Sequence, residues 1–208
     1  MSEKVVTPPA QSNTPASVTP DEVWENERVA RTLEGDATAF GELVQRYSTR
    51  IHSHLYRMVG SREDAEDLAQ EAFVRAFRFL GRFDPARPFR SWLYAIATNV
   101  GLNGLRARRK HGGTVRLDQI RGKSSASLQP VAGGEDGAAR AARNELAARV
   151  TAALEQLPPK SAALVHLHYR EGMAVAEAAD IVGISEGAAR VALHRARQTL
   201  RQMLIEED

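Results

Sequence analysis

The sequence predicts an all-α protein, made of two small helical domains joined by a flexible linker. Apolar residues recur at spacings of three and four through most of the 208 residues, and no segment alternates apolar and polar residues as a half-buried strand does. Gly and Ser accumulate over 111–137, where the helical period disappears. We therefore expect a disordered tail over 1–22, domains at 23–110 and 138–208, and a linker between them.

Four helices are predicted in the first domain: two over 24–56, one over 61–80 and one over 91–110. Serines stand at the starts of the last two and are the expected N-caps, with Asp64 as the reciprocal partner of Ser61. The inward face of the third helix is expected to contain Ala65, Leu68, Ala69, Ala72, Phe73, Ala76, Phe77 and Leu80.

The second domain should begin with a helix over 138–157 that stops at two prolines. Helices over 160–170, 174–182 and 186–205 follow, and Gly183 lies in the tight turn between the last two. The small apolar residues around this turn allow two helices to cross closely. The second domain is therefore predicted to contain a helix-turn-helix.

Composition excludes several classes of function. The chain has no cysteine, which excludes disulfides, thiolate metal sites and a cysteine nucleophile. Its formal net charge is only +2, so any binding of nucleic acid must depend on where the charges lie. No run of eighteen apolar residues occurs, so no transmembrane helix is predicted. Its paired histidines, His52 with His54 and His166 with His168, are spaced by two, whereas helical metal ligands need spacings of three or four. No catalytic or phosphate-binding motif is present. We expect a cytoplasmic protein with no enzyme activity, no cofactor, no metal and no membrane insertion.

The third helix carries a mixed polar stripe opposite its apolar face. Asp67, Gln70, Glu71 and Val74 combine carboxylates, an amide and an aliphatic group. Such a surface can receive a basic partner helix, although a solvated helix face has the same composition. The stripe leaves partner docking and simple solvation as alternatives.

The fourth helix carries the strongest local charge. Between Arg75 and Lys123, twelve Lys and Arg residues stand against two acidic residues. Amides can read base edges and cations can hold phosphates, so this face is interpreted as a nucleic-acid surface. Its candidate residues are Asn99, Asn103, Arg106, Arg109 and Lys110.

The loop before this helix mixes aromatic and basic residues. Phe83, Phe89 and Trp92 stand beside Arg87 and Arg90. Aromatic rings can stack on unpaired bases while cations follow the backbone. The alternative is that these aromatics anchor the core of a small domain.

The last helix is predicted to be the DNA-reading helix of the helix-turn-helix. Its inward set is Ala189, Leu193, Ala196, Leu200 and Leu204. The candidate contact residues are Ser185, Glu186, Arg190, His194, Arg195 and Arg197. A solvated basic face is the simpler alternative, but the turn in front of the helix favours DNA binding.

Three motifs together resemble one family. AEDLAQEAFVRAF, FRSWLYAIATNVGLNGLRARRK and LPPKSAALVHLHYREGMAVAEAADIVGISEGAARVALHRARQTL are similar to bacterial RNA polymerase sigma factors of the extracytoplasmic-function group. The resemblance covers about 36–110 and 138–203, in the family's order, and leaves the tail and linker unmatched.

The resemblance implies a role for each surface. Asp67, Gln70 and Glu71 match residues that dock on the coiled coil of the polymerase β′ subunit. The helix of Asn99 matches the part that meets the −10 promoter element, and the loop over 83–90 matches the part that captures an extruded base. The helix-turn-helix matches the reader of the −35 element, which also touches the β flap. An anti-sigma factor is a further expected partner.

The last helix departs from the family's pattern. Ala188, Ala189, Val191 and Ala192 stand where Thr, Val, Ser and Arg are usual. Losing a hydroxyl and a cation should weaken phosphate anchoring and alter the sequence that is read. The remaining alternative function is a transcriptional regulator whose first domain senses a ligand or dimerises.

Overall fold

The computed structural model describes residues 19–110 and 156–205, with side chains through 108 in the first range and 202 in the second. The predicted linker, nearly all of the tail, and the predicted helix over 138–157 except its last two residues lie outside the described residues. Within these two ranges every regular element is a helix, which confirms the all-α prediction.

In the described ranges, four α-helices belong to the first domain and three to the second. They are α1 (Pro20–Leu33), α2 (Ala37–Val59), α3 (Arg62–Phe79), α4 (Phe89–Lys110), α5 (Pro159–Val165), α6 (Val175–Val182) and α7 (Glu186–Ile205). A short 3₁₀ turn, Leu80–Arg82, follows α3, and a π-helical turn, His166–Arg170, continues α5.

Helix α1 begins earlier than predicted, inside the segment expected to be disordered. The Thr19 hydroxyl accepts from the Glu22 N–H at 3.2 Å, and the Glu22 carboxylate accepts from the Thr19 N–H at 2.7 Å. Pro20 follows at the first helical position, where its missing N–H costs nothing. This capping box fixes the start of α1, so the tail prediction was too long by three residues.

The N-cap predictions for α3 and α4 had different outcomes. Ser61 caps α3 by accepting from the Asp64 N–H at 3.4 Å, but the Asp64 carboxylate pairs with Arg108 of α4. Ser91 lies inside α4, whose helical residues begin at Phe89. Its hydroxyl is free to make a contact outside its own helix.

Helix α2 is the centre of the first domain. Leu43, Tyr47, Ile51 and Leu55 are at most 1% exposed along it. Helix α3 meets it with the buried Ala65, Ala69, Ala72 and Ala76, whose small side chains allow close packing. Helix α4 approaches closely through Gly101, where an added Cβ would lie 3.0 Å from side-chain atoms of both Leu55 and Met58.

The second domain packs against the first. Helices α2 and α4 contact α5, and α4 also contacts α6. We call this contact surface the domain seam; it contains His54, Arg90, Ser91, Tyr94, Thr98, His166, Glu171 and Glu177. Tyr94 and Thr98 are both 0% exposed.

The helix-turn-helix prediction is confirmed. Gly183 adopts φ 69°, a left-handed conformation that favours glycine, and ends α6. Ala178, Ala179 and Val182 are buried at the crossing of α6 and α7. The Ser185 hydroxyl then accepts from the Ala188 N–H at 3.2 Å and caps α7.

Candidate nucleic-acid interface

Helix α7 displays every one of its predicted contact residues. Its inward face contains Ala189, Leu193 and Ala196, which are at most 4% exposed. Ser185, Glu186, Arg190, His194, Arg195 and Arg197 are all exposed on the rest of the helix. The sequence period alone therefore placed this surface correctly, while its contact with DNA stays a prediction.

Two of the arginines on α7 have weak existing partners. Arg190 pairs with Glu186 one turn earlier at 2.5 Å, and both side chains are largely exposed. Arg197 donates to the hydroxyl of the exposed Tyr169 at 3.0 Å. Exposed ion pairs contribute little to stability, so a phosphate or base can replace these partners at small cost.

Helix α4 exposes an amide and arginine face further along. Asn99, Asn103 and Arg106 are all exposed, and Arg106 donates to Asn103 Oδ1 at 3.1 Å. The side chains of Arg109 and Lys110 lie outside the described residues. The polar face predicted for 99–106 is present, and its role in binding DNA is not tested by its exposure.

The loop aromatics pack in the core of the first domain, which favours the core-anchor alternative for two of them. Phe89 is 1% exposed and Phe83 is 9% exposed. With the half-buried Trp92 they form a cluster whose ring centroids lie 5.4–5.7 Å apart. A base cannot reach the face of a ring that the core already covers, so Phe83 and Phe89 anchor the loop.

The two predicted arginines of this loop differ. Arg87 is exposed, whereas Arg90 is half-buried and donates to the backbone carbonyl of Glu171 at 3.1 Å. Next to it, the Ser91 hydroxyl donates to the Glu177 carboxylate of α6. The second domain thus holds the start of α4, a contact between distant segments that no sequence pattern signals.

The stripe on α3 is exposed, and it is larger than predicted. Asp67, Gln70, Glu71 and Val74 all face solvent. Phe77 was assigned to the core, but it is 51% exposed, although its ring packs edge-on against Phe40 at 5.1 Å. It lies three residues after Val74, so the two form an apolar edge beside the polar residues. We call these five residues the α3 outer face.

A buried polar cluster occupies the domain seam. The Nε2 atom of His54 lies 2.9 Å from the Thr98 hydroxyl, and its ring lies 5.2 Å from that of His166. The Nε2 atom of His166 lies 3.4 Å from a Glu171 oxygen, at the long limit of a hydrogen bond. Burial lowers the pKa of both histidines, and for His166 it outweighs the nearby Glu171 carboxylate.

The described ranges lack two features, a grouped set of metal ligands and a membrane-spanning helix. No group of three or more potential ligands is arranged there to hold a metal ion. None of the helices in 19–110 and 156–205 is both long enough and apolar enough to cross a bilayer.

Both domains match known families. Residues 43–111 match the model of Sigma-70 region 2, and residues 147–200 match that of Sigma-70 region 4. The chain is 32% identical over 186 residues to the ECF RNA polymerase sigma factor SigW of Bacillus subtilis. The aligned segment covers 88% of this chain and 98% of SigW.

Solved structures share the fold. The structure of CnrH in complex with the cytosolic domain of CnrY has a TM-score of 0.59 at 28% identity and covers 90% of this chain and 99% of that one. The sigma factor RpoE of Bartonella quintana, solved with the anti-sigma factor NepR, has a TM-score of 0.61 at 19% identity and covers 81% and 98%.

These matches decide between the two functions that the sequence left open. A regulator with a sensing or dimerisation domain would not match sigma region 2 in its first half. The order of the matched regions, the helical fold and the full-length similarity to SigW agree with one another. The chain belongs to the extracytoplasmic-function group of the sigma-70 family of RNA polymerase sigma factors.

Proposed function

We propose that this sigma factor divides its work among three helices: α3 docks on core RNA polymerase, α4 meets the −10 element, and α7 reads the −35 element. The observation that carries the proposal is the exposure of all six predicted contact residues on α7, directly after a helix-turn-helix turn. As a sigma factor, the chain directs promoter-specific initiation by core polymerase.

The residues of α7 fall into two proposed roles. Arg190 lies near the N-terminal end of the helix, the part that enters a major groove in this motif, and its planar fork can hold a guanine edge. His194, Arg195 and Arg197 follow over the next two turns, where cations hold phosphates and set the register. Ser185 and Glu186 complete the proposed −35 surface at the helix start.

The proposed −10 surface keeps the exposed residues of α4, and Arg109 and Lys110, whose side chains lie outside the described residues, stay part of it as predictions. Asn99, Asn103 and Arg106 remain exposed on one side of α4 and are the proposed base and backbone contacts. With Phe83 and Phe89 in the core, Trp92 is the loop aromatic that retains partial exposure. Promoter melting is therefore assigned to the α4 surface with Trp92 and Arg87 at its start.

The α3 outer face is the proposed docking surface for the β′ coiled coil. Its acidic and amide groups suit a basic partner, and Val74 and Phe77 add apolar area that desolvates on contact. A mixed surface of this kind supports docking better than a purely charged one, because exposed charges alone contribute little. The β flap is the proposed second polymerase contact, through the helix-turn-helix domain.

The proposal needs no catalysis by this chain, which acts in the cytoplasm where polymerase and promoter are found. An anti-sigma factor is a proposed regulatory partner, because the related RpoE structure contains one. Initiation chemistry belongs to the polymerase in this assignment.

The main test is reconstitution with core RNA polymerase and genomic DNA, followed by mapping of transcription start sites. We expect a set of starts that requires this chain and shares −35 and −10 sequences. Failure to bind core polymerase or to direct any start, with protein whose helicity and cooperative unfolding are intact, would overturn the proposal.

Docking is tested separately by measuring affinity for core polymerase. Asp67→Ala and Gln70→Ala should weaken it without changing the unfolding midpoint. Glu66→Gln is the matched control, because Glu66 adjoins Asp67 on α3 but points about 100° away and pairs with Arg62 at 3.1 Å. Equal affinity for all three variants would remove the α3 assignment.

A further inference from the structure

Val191 occupies the middle of the exposed side of α7. It lies two positions from both Ala189 and Leu193, and two residues span about 200° around a helix. Ala189 is fully buried and Leu193 is 4% exposed, so Val191 points directly away from the core. Its 50% exposure agrees with this direction, and it is the one exposed large hydrophobic residue in the described part of α7.

Neither packing nor helix stability explains a valine at this position. Its side chain contributes little to the core, and β-branched residues lose rotamer freedom in a helix. The surrounding surface is also small and apolar, because Ala188 is exposed one turn earlier and Ala192 is half-buried beside it. This strip is the feature of α7 that charge alone does not account for.

Cations border this apolar strip. Arg190 and His194 lie on one side of Val191 and Arg195 on the other, and all three are exposed. When His194 and Arg195 hold phosphates at the edges of a major groove, the residue between them faces the floor of the groove. The short side chains of Ala188 and Ala192 permit a close approach there.

The apolar feature on the floor of a major groove is the 5-methyl group of thymine, which apolar side chains contact. We propose that Val191 is a specificity-determining residue that recognises a thymine of the −35 element through this methyl group. The inference rests on the proposed entry of α7 into the major groove, and it names the kind of base that is read.

The test uses holoenzyme assembled from core polymerase and the full chain, bound to a promoter duplex identified by start mapping. Each thymine of the −35 element is replaced in turn by deoxyuridine, which removes the methyl group and keeps base pairing. At one position we expect binding to the wild type to weaken about fourfold, the ratio that corresponds to ~0.8 kcal/mol for one buried methyl-sized group.

Val191→Ala supplies the second arm, and it keeps or raises helix propensity, so the fold should persist. With this variant the duplexes with thymine and with deoxyuridine should bind equally. Gln198→Ala is the control, because Gln198 is exposed two turns further along α7, and its sensitivity to deoxyuridine should match that of the wild type.

The outcomes separate the inference from the function beneath it. A wild-type holoenzyme that does not distinguish the mapped −35 element from a scrambled one contradicts the proposed role of α7. A holoenzyme that prefers the mapped −35 element but binds every deoxyuridine duplex as well as the thymine duplex contradicts the Val191 inference alone. Mapped −35 elements that contain no thymine contradict it too. Val191→Ala could also weaken binding while leaving the deoxyuridine effect unchanged. That result contradicts the inference as well, because it would place Val191 in a contact with polymerase.

Discussion

The two helices assigned to DNA, α4 and α7, present their surfaces in opposite ways. Helix α7 buries one narrow face and exposes all six predicted contact residues. Helix α4 is buried on two sides, because the first domain covers one and the second domain covers Tyr94 on the other. A helical period describes α7 fully, whereas the accessible surface of α4 depends on a neighbouring domain.

This difference affects what each helix must give up to bind DNA. On α7 the arginines exchange exposed, weak partners. On α4, Arg90 already donates to the Glu171 carbonyl across the domain seam, so a phosphate must use its remaining N–H donors or replace that hydrogen bond.

Glycine substitutions should give the largest difference in stability effect between α4 and α7. Gly101→Leu places a large side chain where a Cβ alone meets Leu55 and Met58 at 3.0 Å, so we expect the free energy of unfolding to fall by about 1–3 kcal/mol. Urea denaturation measures the change. In α7, Gly187 has no atom within 4 Å of an added Cβ, and Gly187→Ala should leave stability unchanged or raise it by up to ~1 kcal/mol.

Acidification should destabilise the domain seam. Burial holds the pKa of His54 and His166 below the ordinary value of 6.5, so the folded chain binds fewer protons than the unfolded chain as the pH falls below that value. The free energy of unfolding should therefore decrease from about pH 6.5 downwards. The groups that face this pair are Arg57, Tyr94, Arg170 and Glu171. Arg50 and Arg90 act on Tyr94 beside it.

Urea unfolding at pH 7.5 and 5.5 checks the acid effect. His54→Gln removes one site of proton uptake and should reduce the difference between the two pH values. His194→Gln, on the exposed side of α7, should leave that difference as it is. A wild type equally stable at both pH values would show that the buried pair does not govern acid stability.

Loss of the Glu177 charge should loosen the seam by a smaller amount. Glu177→Gln weakens the hydrogen bond from Ser91, and we expect the population with separated domains to rise about two- to tenfold. Because the chain has no cysteine, labels at Thr49→Cys and Gln198→Cys report the distance between exposed sites on the two domains. Asp180→Asn, at an exposed position of the same helix, should not change that distance distribution.

The exposed ion pair of α7 should matter least for stability. Glu186→Gln removes the partner of Arg190, yet both side chains are largely exposed. The free energy of unfolding, measured by thermal denaturation, should therefore change by less than ~1 kcal/mol. A larger loss would mean that the start of α7 depends on this pair, and that Arg190 is less available to DNA than its exposure suggests.

Sequence patterns predicted the features that depend only on neighbouring residues in the chain. The turn at Gly183 and the buried and exposed faces of α7 follow from a left-handed residue and a helical period. The start of α1 was also readable, because Thr19, Pro20 and Glu22 form a capping box, but the tail-like composition around them concealed it.

The burial of several aromatic residues depends on tertiary packing and could not be decided from the sequence alone. Phe83 and Phe89 stand among arginines in sequence, yet burial of large rings outweighs the charge of their neighbours. Phe77 has the spacing of a core residue but lies at the edge of the helix contact, where Phe40 covers only part of its ring. Tyr94 could not be assigned, because the domain that buries it is more than sixty residues away in sequence.

The burial of Tyr94 also bears on how this chain can be dissected. A fragment ending at residue 110 would expose the Tyr94 ring and the side of α2 that now contacts α5. Newly wetted apolar surface favours self-association, so such a fragment would be expected to aggregate more readily than the intact chain. DNA affinities measured on that fragment would then combine the intrinsic affinity of α4 with the effect of an artificial surface.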